Sequence, residues 1–245
     1  MLNNTIYWIK LPSLKIKHIK TPNGYLFQDF IPIGKNQLII NGAKSHDEGH
    51  KEHSFIVLSK KSFEEINCHD FGIVGFRMVV NLSTLFLISD KKSQAFCLDT
   101  QMYKSLPDMI GVHINPGCCA YNHGILVVGG INNRNVEFFD CEANEWKIIA
   151  ELDKDLFSIS CIQISEQEAL VISYKEYFIL NTWLKRIVIC DFLPIKTKTS
   201  KIGCPVRVKN HIYVILGNTR LLRFNIITRQ WTIVNNNSIC CCQIV

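Results

Sequence analysis

A unit of four parts lies near the middle of the chain, between residues 124 and 146. It begins with an apolar run, 124–128, which ends in a Gly-Gly pair at 129–130. After a polar loop, a second apolar run covers 136–140, and a short turn leads to Trp146, which begins a third run. Short apolar runs bounded by turn residues predict β-strands. If the unit is one of several equal copies, its position also predicts where the others lie.

The same unit recurs in degenerate form along the chain. The position of Gly130 recurs at Gly42, Asp90, Tyr174 and Gly217. The position of Trp146 recurs at Ile16, Phe63, Tyr103, Ile187 and Trp231. In chain order, these six Trp146-type positions are 47, 40, 43, 41 and 44 residues apart. Only the copy at 124–146 keeps both glycines, and the best second copy covers 211–231. This regular period predicts a fold built of equal units.

The apolar run with its Gly-Gly pair, the second run and Trp146 resemble the kelch repeat, in which one unit forms one four-stranded blade of a β-propeller. The resemblance extends over nearly the whole chain, although only the copies at 124–146 and 211–231 are specific. An antiparallel sandwich could use the same strands, but the constant period, with an aromatic residue often at the same phase, favours the ring. We therefore predict an all-β, kelch-type β-propeller of about six four-stranded antiparallel blades.

The two ends of the chain are predicted to share one blade. Residues 1–22 align with the outer strands of the clear repeat, and residues 237–245 are similar to an innermost strand. Joining the ends removes exposed strand edges from the ring. The shared blade has no evident second strand, so either it has three strands or residues outside this chain complete it. Within a single domain of residues 1–245, the five full blades are assigned to 27–67, 73–107, 113–150, 157–193 and 203–235.

The composition is that of a globular protein. Of the 245 residues, 47% are hydrophobic and 20% are charged, which excludes a disordered chain. No apolar run reaches the roughly 18 residues of a membrane span and no signal-peptide pattern is evident, so we expect a cytoplasmic protein without a membrane partner. The 11 cysteines are scattered through predicted strands, as reduced core residues would be. In the cluster 240–242, strand alternation turns Cys241 away from its neighbours, and we expect no metal or cofactor.

One face of the ring is predicted to carry the binding residues. The chain of a blade runs up and down in turn, so the loops after each second strand and the loops between blades emerge on the same face. The net charge of +6 suits an acidic protein partner, and no nucleic-acid motif is evident. Basic side chains around a concave mouth favour an acidic peptide or loop, because charge-assisted bonds to carboxylates are strong. The candidate partner-binding residues are Lys91, Lys92, Asn133, Arg134, Lys198, Lys201, Arg220 and His50.

His50 belongs to the longest loop of this face, residues 44–53, which holds three histidines and three acidic residues. Imidazole and carboxylate groups are ligands of zinc and other transition metals. The spacing matches no known metal motif, however, and a solvated loop is the simpler interpretation. Because histidine titrates near neutral pH, the loop also suits a pH-sensitive contact with a partner.

The sequence contains no Gly-x-Ser-x-Gly, phosphate-loop or His-Glu-x-x-His pattern. Some kelch-like propellers are copper oxidases, but their set of Tyr, Cys and His ligands cannot be placed here. The first strands, which should line the channel, are mostly apolar and small apart from Arg77 and Arg207. We therefore predict a binding module and not an enzyme, with an oxidase-like propeller as the lesser alternative.

The resemblance also implies what kind of binding to expect. Kelch propellers of the BTB–kelch and F-box–kelch families present substrates to cullin-type ubiquitin ligases, which implies a substrate receptor. Other kelch proteins bind actin or sit in large assemblies, which implies a cytoskeletal scaffold, associated with actin or microtubules, as the alternative. No BTB, BACK or F-box segment is present in these 245 residues, so the ligase role rests on the resemblance alone.

Overall fold

The computed structural model describes the strands between residues 5 and 67, residues 76–234 without 157, 196–201 and 218–219, and the strand 242–244. Before residue 76, side chains are described only at Ile31 and Ile39. This described part contains 23 strands and no helix, and so no helix that is long and apolar enough to cross a membrane.

The strands form six sheets, and five of these consist of four consecutive strands. The first such sheet contains β3 (Tyr25–Ile33), β4 (Gln37–Ser45), β5 (Lys51–Ser59) and β6 (Phe63–Asn67). The second contains β7 (Arg77–Asn81), β8 (Thr84–Ser89), β9 (Lys92–Cys97) and β10 (Tyr103–Ser105). The third contains β11 (Gly117–Tyr121), β12 (Gly124–Val128), β13 (Asn135–Asp140) and β14 (Glu145–Glu151). The fourth contains β15 (Ser160–Gln163), β16 (Glu168–Ile172), β17 (Glu176–Asn181) and β18 (Arg186–Phe192). The fifth contains β19 (Val206–Val208), β20 (His211–Leu216), β21 (Arg220–Asn225) and β22 (Gln230–Val234).

In each of these five sheets, strands that follow one another in the chain lie side by side and run antiparallel. The first strands contact one another in chain order: β3 contacts β7, β7 contacts β11, and β11 contacts β15. The first strands therefore form the innermost layer, and each sheet extends outward from it. This arrangement is the all-β propeller that the repeat predicts.

The sixth sheet is built from both ends of the chain, as predicted, but it has three strands. It contains β1 (Thr5–Lys10), β2 (Lys15–Lys20) and β23 (Cys242–Ile244). β1 pairs with β2 antiparallel and with β23 in parallel. In an antiparallel blade the first and third strands run in the same direction, so these two pair in parallel when no second strand lies between them. Among the described residues, this sheet is therefore the three-stranded one of the two alternatives that the sequence left open.

The Trp146-type residue occupies the same place in all six sheets. Each such residue lies in the outermost strand, directly opposite an apolar residue of the neighbouring strand. The six pairs are Ile9–Ile16, Leu58–Phe63, Phe96–Tyr103, Phe139–Trp146, Leu180–Ile187 and Phe224–Trp231. The ring centroids are 5.0 Å apart in both pairs that contain tryptophan. Because such cross-strand pairs stabilise a sheet, the sequence period marks its outer edge.

The glycine pair ends the second strand of the third sheet in a backbone conformation that a side chain would hinder. Gly129 and Gly130 have φ angles of 56° and 129°. A Cβ on Gly130 would lie 2.9 Å from the carbonyl oxygen of Ile114. The aligned residues Asp90 and Gly217 also have positive φ angles, 49° and 60°. The second, third and fifth sheets therefore have a left-handed residue at this point, in the second sheet without a glycine, whereas Tyr174 of the fourth sheet does not have a positive φ.

The hydrophobic core lies between the faces of neighbouring sheets. In β16, Ala169 and Val171 pack against the third sheet, whereas Leu170 and Ile172 pack against the fifth. Strands β8 and β12 divide their side chains between two neighbours in the same way. Since successive side chains of a strand point to opposite faces, a second strand between two sheets must be apolar at every position. This explains the continuous apolar runs of the sequence.

Candidate protein-interaction rim

The loops after the second strands and the connections between sheets emerge at the same end of the sheets, which we call the loop rim. Two backbone bridges join neighbouring sheets there: Asp90 pairs with His113, and Gly130 pairs with Leu156. The described residues of the loop rim are 76, 90–91, 106–116, 129–134, 152–156, 158–159, 173–175, 193–195, 202–205 and 217. The loop rim is thus a set of loops tied to one another, as the up-and-down path of the chain predicts.

A buried carboxylate fixes the connection between β10 and β11 in place. Glu137 of β13 accepts hydrogen bonds from the backbone N–H of Ile110 at 2.8 Å and of Gly111 at 2.6 Å. Its Oε1 also lies 2.9 Å from Nε2 of His113, and both of these side chains are fully buried. One side chain therefore anchors three residues of this connection.

The two ring nitrogens of His113 each have a hydrogen-bond partner. Nδ1 lies 2.6 Å from the carbonyl oxygen of Gly129, which can only accept, so Nδ1 carries a hydrogen. Nε2 faces the carboxylate of Glu137, which two backbone N–H groups also stabilise. The two side chains form a buried hydrogen-bonded His–Glu pair.

The pKa of Glu137 reflects the same contacts. Burial raises this pKa, but the hydrogen bonds from His113, Gly111 and Ile110 together outweigh burial and hold it below its usual value. Sequence reasoning missed this pair, although one signal was available. Glu137 lies two residues before Phe139 and therefore on the same buried face of β13. An acid at such a position needs a partner inside the protein.

The anchored connection exposes three apolar side chains. Ile110, Val112 and Ile114 have 49%, 50% and 40% of their surface exposed, whereas Met109 just before them and His113 between them are buried. We call Ile110, Val112 and Ile114 the apolar stripe. The backbone of Lys91 accepts from Met109 N–H at 2.8 Å, which places Lys91 beside the stripe. Sequence reasoning did not select these residues.

Two of the predicted cations already have partners within the chain. Lys92 binds both carboxylate oxygens of Asp108 at 2.9 Å, and Arg134 lies 2.9 Å from Glu151. Lys91 and Arg220 are exposed and have no ion pair among the residues that the structure describes. The basic charge of the loop rim is therefore partly neutralised.

Asn133 has a structural part in the rim. Its amide nitrogen donates to the carbonyl oxygen of Val112 at 2.8 Å, and its Oδ1 accepts from the N–H of Asn135 at 2.8 Å. The side chain is only partly exposed and supports the centre of the stripe.

The structure brings some of the predicted residues together and not others. Lys91 and Asn133 lie against the segment of the apolar stripe, and Lys92 and Arg134 each follow one of them in the chain. Arg220 lies in the fifth sheet, so the whole fourth sheet separates it from this group. Lys198, Lys201 and His50 lie outside the described residues.

Metal binding and thiol chemistry both depend on side chains such as cysteine, and the exposed cysteines of the described region are Cys141, Cys190 and Cys204. No group of three or more His, Cys, Asp or Glu residues is placed there to hold a metal ion. Cys119 and Cys161 are buried, and burial together with the neighbouring Cys119 thiol raises the pKa of Cys161 well above its usual value. A buried thiol with a raised pKa, as at Cys161, stays protonated and unreactive. Cys240 and Cys241 lie outside the described residues.

Comparison with known proteins agrees with the fold. The family model of the Kelch motif matches residues 114–152, which begin at Ile114 of the stripe and end just after β14. No curated protein matches the chain. The matched segment forms the third sheet, the one that contains both glycines and Trp146.

Proposed function

We propose that this kelch-type β-propeller is a non-enzymatic module that binds a protein partner on its loop rim. The observation that carries the proposal is the apolar stripe with exposed Lys91 beside it. Exposed apolar side chains next to charged groups are common in protein interfaces, where a few fixed residues supply most of the binding energy. The buried His–Glu pair beneath the stripe holds it in place before a partner arrives, which lowers the entropic cost of binding.

The proposed partner is an acidic peptide or loop that also carries apolar side chains. Lys92 and Arg134 would have to leave Asp108 and Glu151 before they could bind a foreign carboxylate. Lys91 needs no such exchange, so we assign it the first contact with an acidic residue. Arg220 would be reached only by a partner that extends across the fourth sheet.

As a cellular role, we propose a cytoplasmic substrate receptor of a cullin-type ubiquitin ligase. Its support is the resemblance to BTB–kelch and F-box–kelch propellers, together with the Kelch motif match. A cytoskeletal scaffold is the alternative, supported by the same resemblance. The two roles differ in the partners that the loop rim would capture.

The proposal is tested by affinity capture from cytosol followed by mass spectrometry. The test variant combines Lys91→Glu and Val112→Asp, and Arg220→Glu is a separate variant. Lys104→Glu in β10 is the matched control, since it reverses an exposed lysine outside the loop rim. Urea unfolding shows that each variant is folded. We expect partners that are lost with the test variant and kept with the control.

The identity of the captured proteins separates the two roles. Cullins or their adaptors among the lost partners would support the ligase role, whereas actin or tubulin would support the scaffold. If the wild-type chain and the folded test variant capture the same proteins, the loop rim is not the binding surface.

A further inference from the structure

The opposite end of the sheets carries the turns after the first and third strands, which we call the turn face. In the fourth sheet, Trp183 and Leu184 stand at the tip of the turn between β17 and β18, and 79% and 56% of their surface is exposed. In the fifth sheet, Ile227 has the same place between β21 and β22 and is 71% exposed. Three large apolar side chains thus point into solvent from one end of two neighbouring sheets.

The fold itself does not require apolar residues at these tips. The turn in the fourth sheet is closed by Asn181, whose Oδ1 accepts from Leu184 N–H at 2.8 Å. The turn in the fifth sheet is closed by Asn225, whose Oδ1 accepts from Ile227 N–H at 2.9 Å. Asparagine closes such turns whatever residues follow it, so polar residues would serve equally well. The exposed apolar side chains therefore indicate a contact with something outside the chain.

The two turns are tied into one surface. The N–H of Thr182 donates to the carbonyl oxygen of Gln167 at 2.9 Å, which joins the tip of the fourth sheet to its other turn. From there, Glu168 forms a 2.7 Å ion pair with Arg229 in the turn of Ile227. The apolar tips consequently keep a fixed relation to each other.

The charge around the tips is mainly positive. Lys185 and Arg186 follow Leu184 directly, and Lys209 lies in the turn that bonds through Asn210 to Ile226. All three cations are exposed and have no ion pair among the described residues. The turns after the first and third strands of these two sheets, with the residues that flank them, hold two carboxylates, Glu166 and Glu168. Glu168 is already paired with Arg229, so only Glu166 is left to offset the positive charge.

We infer that this surface, formed by Trp183, Leu184, Lys185, Arg186, Lys209 and Ile227, docks on an anionic lipid surface. Apolar tips on separate turns suit the plane of a bilayer interface, which makes no demand on shape, and tryptophan is enriched at that depth. Basic residues beside them are attracted to anionic headgroups. A second copy of the chain is the poorer match, because it presents the same positive charge. The expectation of no membrane partner rested on the lack of an apolar span, which peripheral docking does not need.

The inference is tested by sedimenting the full chain with phosphatidylcholine vesicles, with and without phosphatidylserine. We expect binding to the vesicles that contain phosphatidylserine and less binding as salt is raised. The double variant Lys185→Glu, Arg186→Glu should weaken that binding more than about tenfold, since each basic residue near the surface contributes appreciably. Trp183→Ser should also weaken it, because it removes the largest apolar tip.

The matched control is Phe192→Ser. Phe192 is 74% exposed, much like Trp183, but it ends β18 at the loop rim. This change should leave vesicle binding unaltered. A brominated phospholipid should quench part of the fluorescence of the wild-type chain and less of that of Trp183→Phe, since the bromine reaches only the inserted tryptophan.

Two results would overturn the inference. One is equal sedimentation of the wild-type chain with and without phosphatidylserine. The other is a combined result: the wild-type chain binds no vesicles, and it captures a protein partner that the Trp183→Ser variant does not capture. That result would show that the surface binds a protein. The loop-rim variant Lys91→Glu, Val112→Asp should bind vesicles normally, so failure of one proposal is distinguishable from failure of the other.

Discussion

Glu137 is the residue on which the geometry of the loop rim depends most. It holds the backbone of Ile110 and Gly111 and the ring of His113, and these three lie in one connection between sheets. A charge in the interior is tolerated only when its hydrogen-bonding capacity is filled, as it is here. The exposed apolar stripe therefore depends on a residue that no partner would touch.

Replacing Glu137 by glutamine should be strongly destabilising. The change removes the negative charge from a buried pair, and breaking such a pair costs about 3–5 kcal/mol. We expect the free energy of unfolding in urea to fall by roughly 3 kcal/mol. Arg134→Gln is the control, since it breaks the exposed pair with Glu151 and should cost less than about 1 kcal/mol. Equal losses in the two variants would contradict this account.

The same contact should appear in the dependence of stability on pH. The folded-state pKa of Glu137 is lowered, so its stabilisation is present above the unfolded pKa of about 4.3 and is lost as the pH falls through the folded value. The difference in stability between the wild-type chain and Glu137→Gln should therefore narrow as the pH falls below about 4.3. A difference that stays constant over this range would show that the carboxylate charge is not responsible.

At the scale of the element, the end of the second strand decides how neighbouring sheets join. Gly130 bridges to Leu156 of the next connection, and Asp90 bridges to His113 in the same way. Both residues have positive φ angles, so the join requires a left-handed backbone more than it requires glycine. Aspartate adopts this conformation more readily than most residues, which explains how a degenerate copy keeps the join.

Gly130→Ala should therefore destabilise the third sheet. Its φ of 129° is strained for any residue with a Cβ, and that atom would lie 2.9 Å from the oxygen of Ile114. We expect a loss of roughly 1–3 kcal/mol in urea unfolding. Gly203→Ala is the control, because its φ is not positive and the nearest atom would lie 3.4 Å away. A loss at Gly203 as large as that at Gly130 would argue against backbone strain as the cause.

At the scale of the whole molecule, the ring closes through the pairing of β23 with β1. β23 also contacts β20 of the fifth sheet, so one short strand joins the last full sheet to the first strands of the chain. Without it, the inner edge of β1 would present unpaired backbone groups to solvent. The closure thus depends on three residues that are far in sequence from their partners.

Removal of residues 242–245 should weaken the whole propeller. The pairing of the three residues of β23 with β1 contributes on the order of 2 kcal/mol, and the freed edge favours association between chains. We expect a lower urea midpoint together with concentration-dependent aggregation by light scattering. Cys242→Ser in the 245-residue chain is the control, since it keeps the strand. Unchanged unfolding of the shortened chain would show that β23 does not close the ring.

Much of the fold could be predicted from particular residues. The period of the Trp146-type positions located the outer strand of all six sheets, because each of these residues must pair with an apolar partner across the strand. The second strands were recognisable as continuous apolar runs, because both of their faces are buried. The sequence did not decide the number of strands in the sixth sheet, because β23 is positioned by its pairing with β1, at the other end of the chain.

The candidate site was less predictable. The direction of the strands predicted the position of the loop rim. Its charged residues, however, were selected one at a time, without knowledge of the ion pairs that they form. Pairing with Asp108 and Glu151 removes much of the positive charge of Lys92 and Arg134. Those partners lie 16 and 17 residues away in the chain, in the connection after β10 and at the end of β14, so sequence spacing did not reveal them.

The sequence alone determined the all-β class, the repeat period and the end of the sheets where the variable loops meet, because these depend on local alternation and on counting residues. The tertiary structure alone decided which polar groups neutralise one another, that Glu137 and His113 are buried together, and that the apolar stripe and the tip at Trp183 remain exposed. Burial and ion pairing depend on which segments meet in space. In a ring of sheets, residues that are far apart in the chain come into contact, and their separation in the sequence does not predict which of them do.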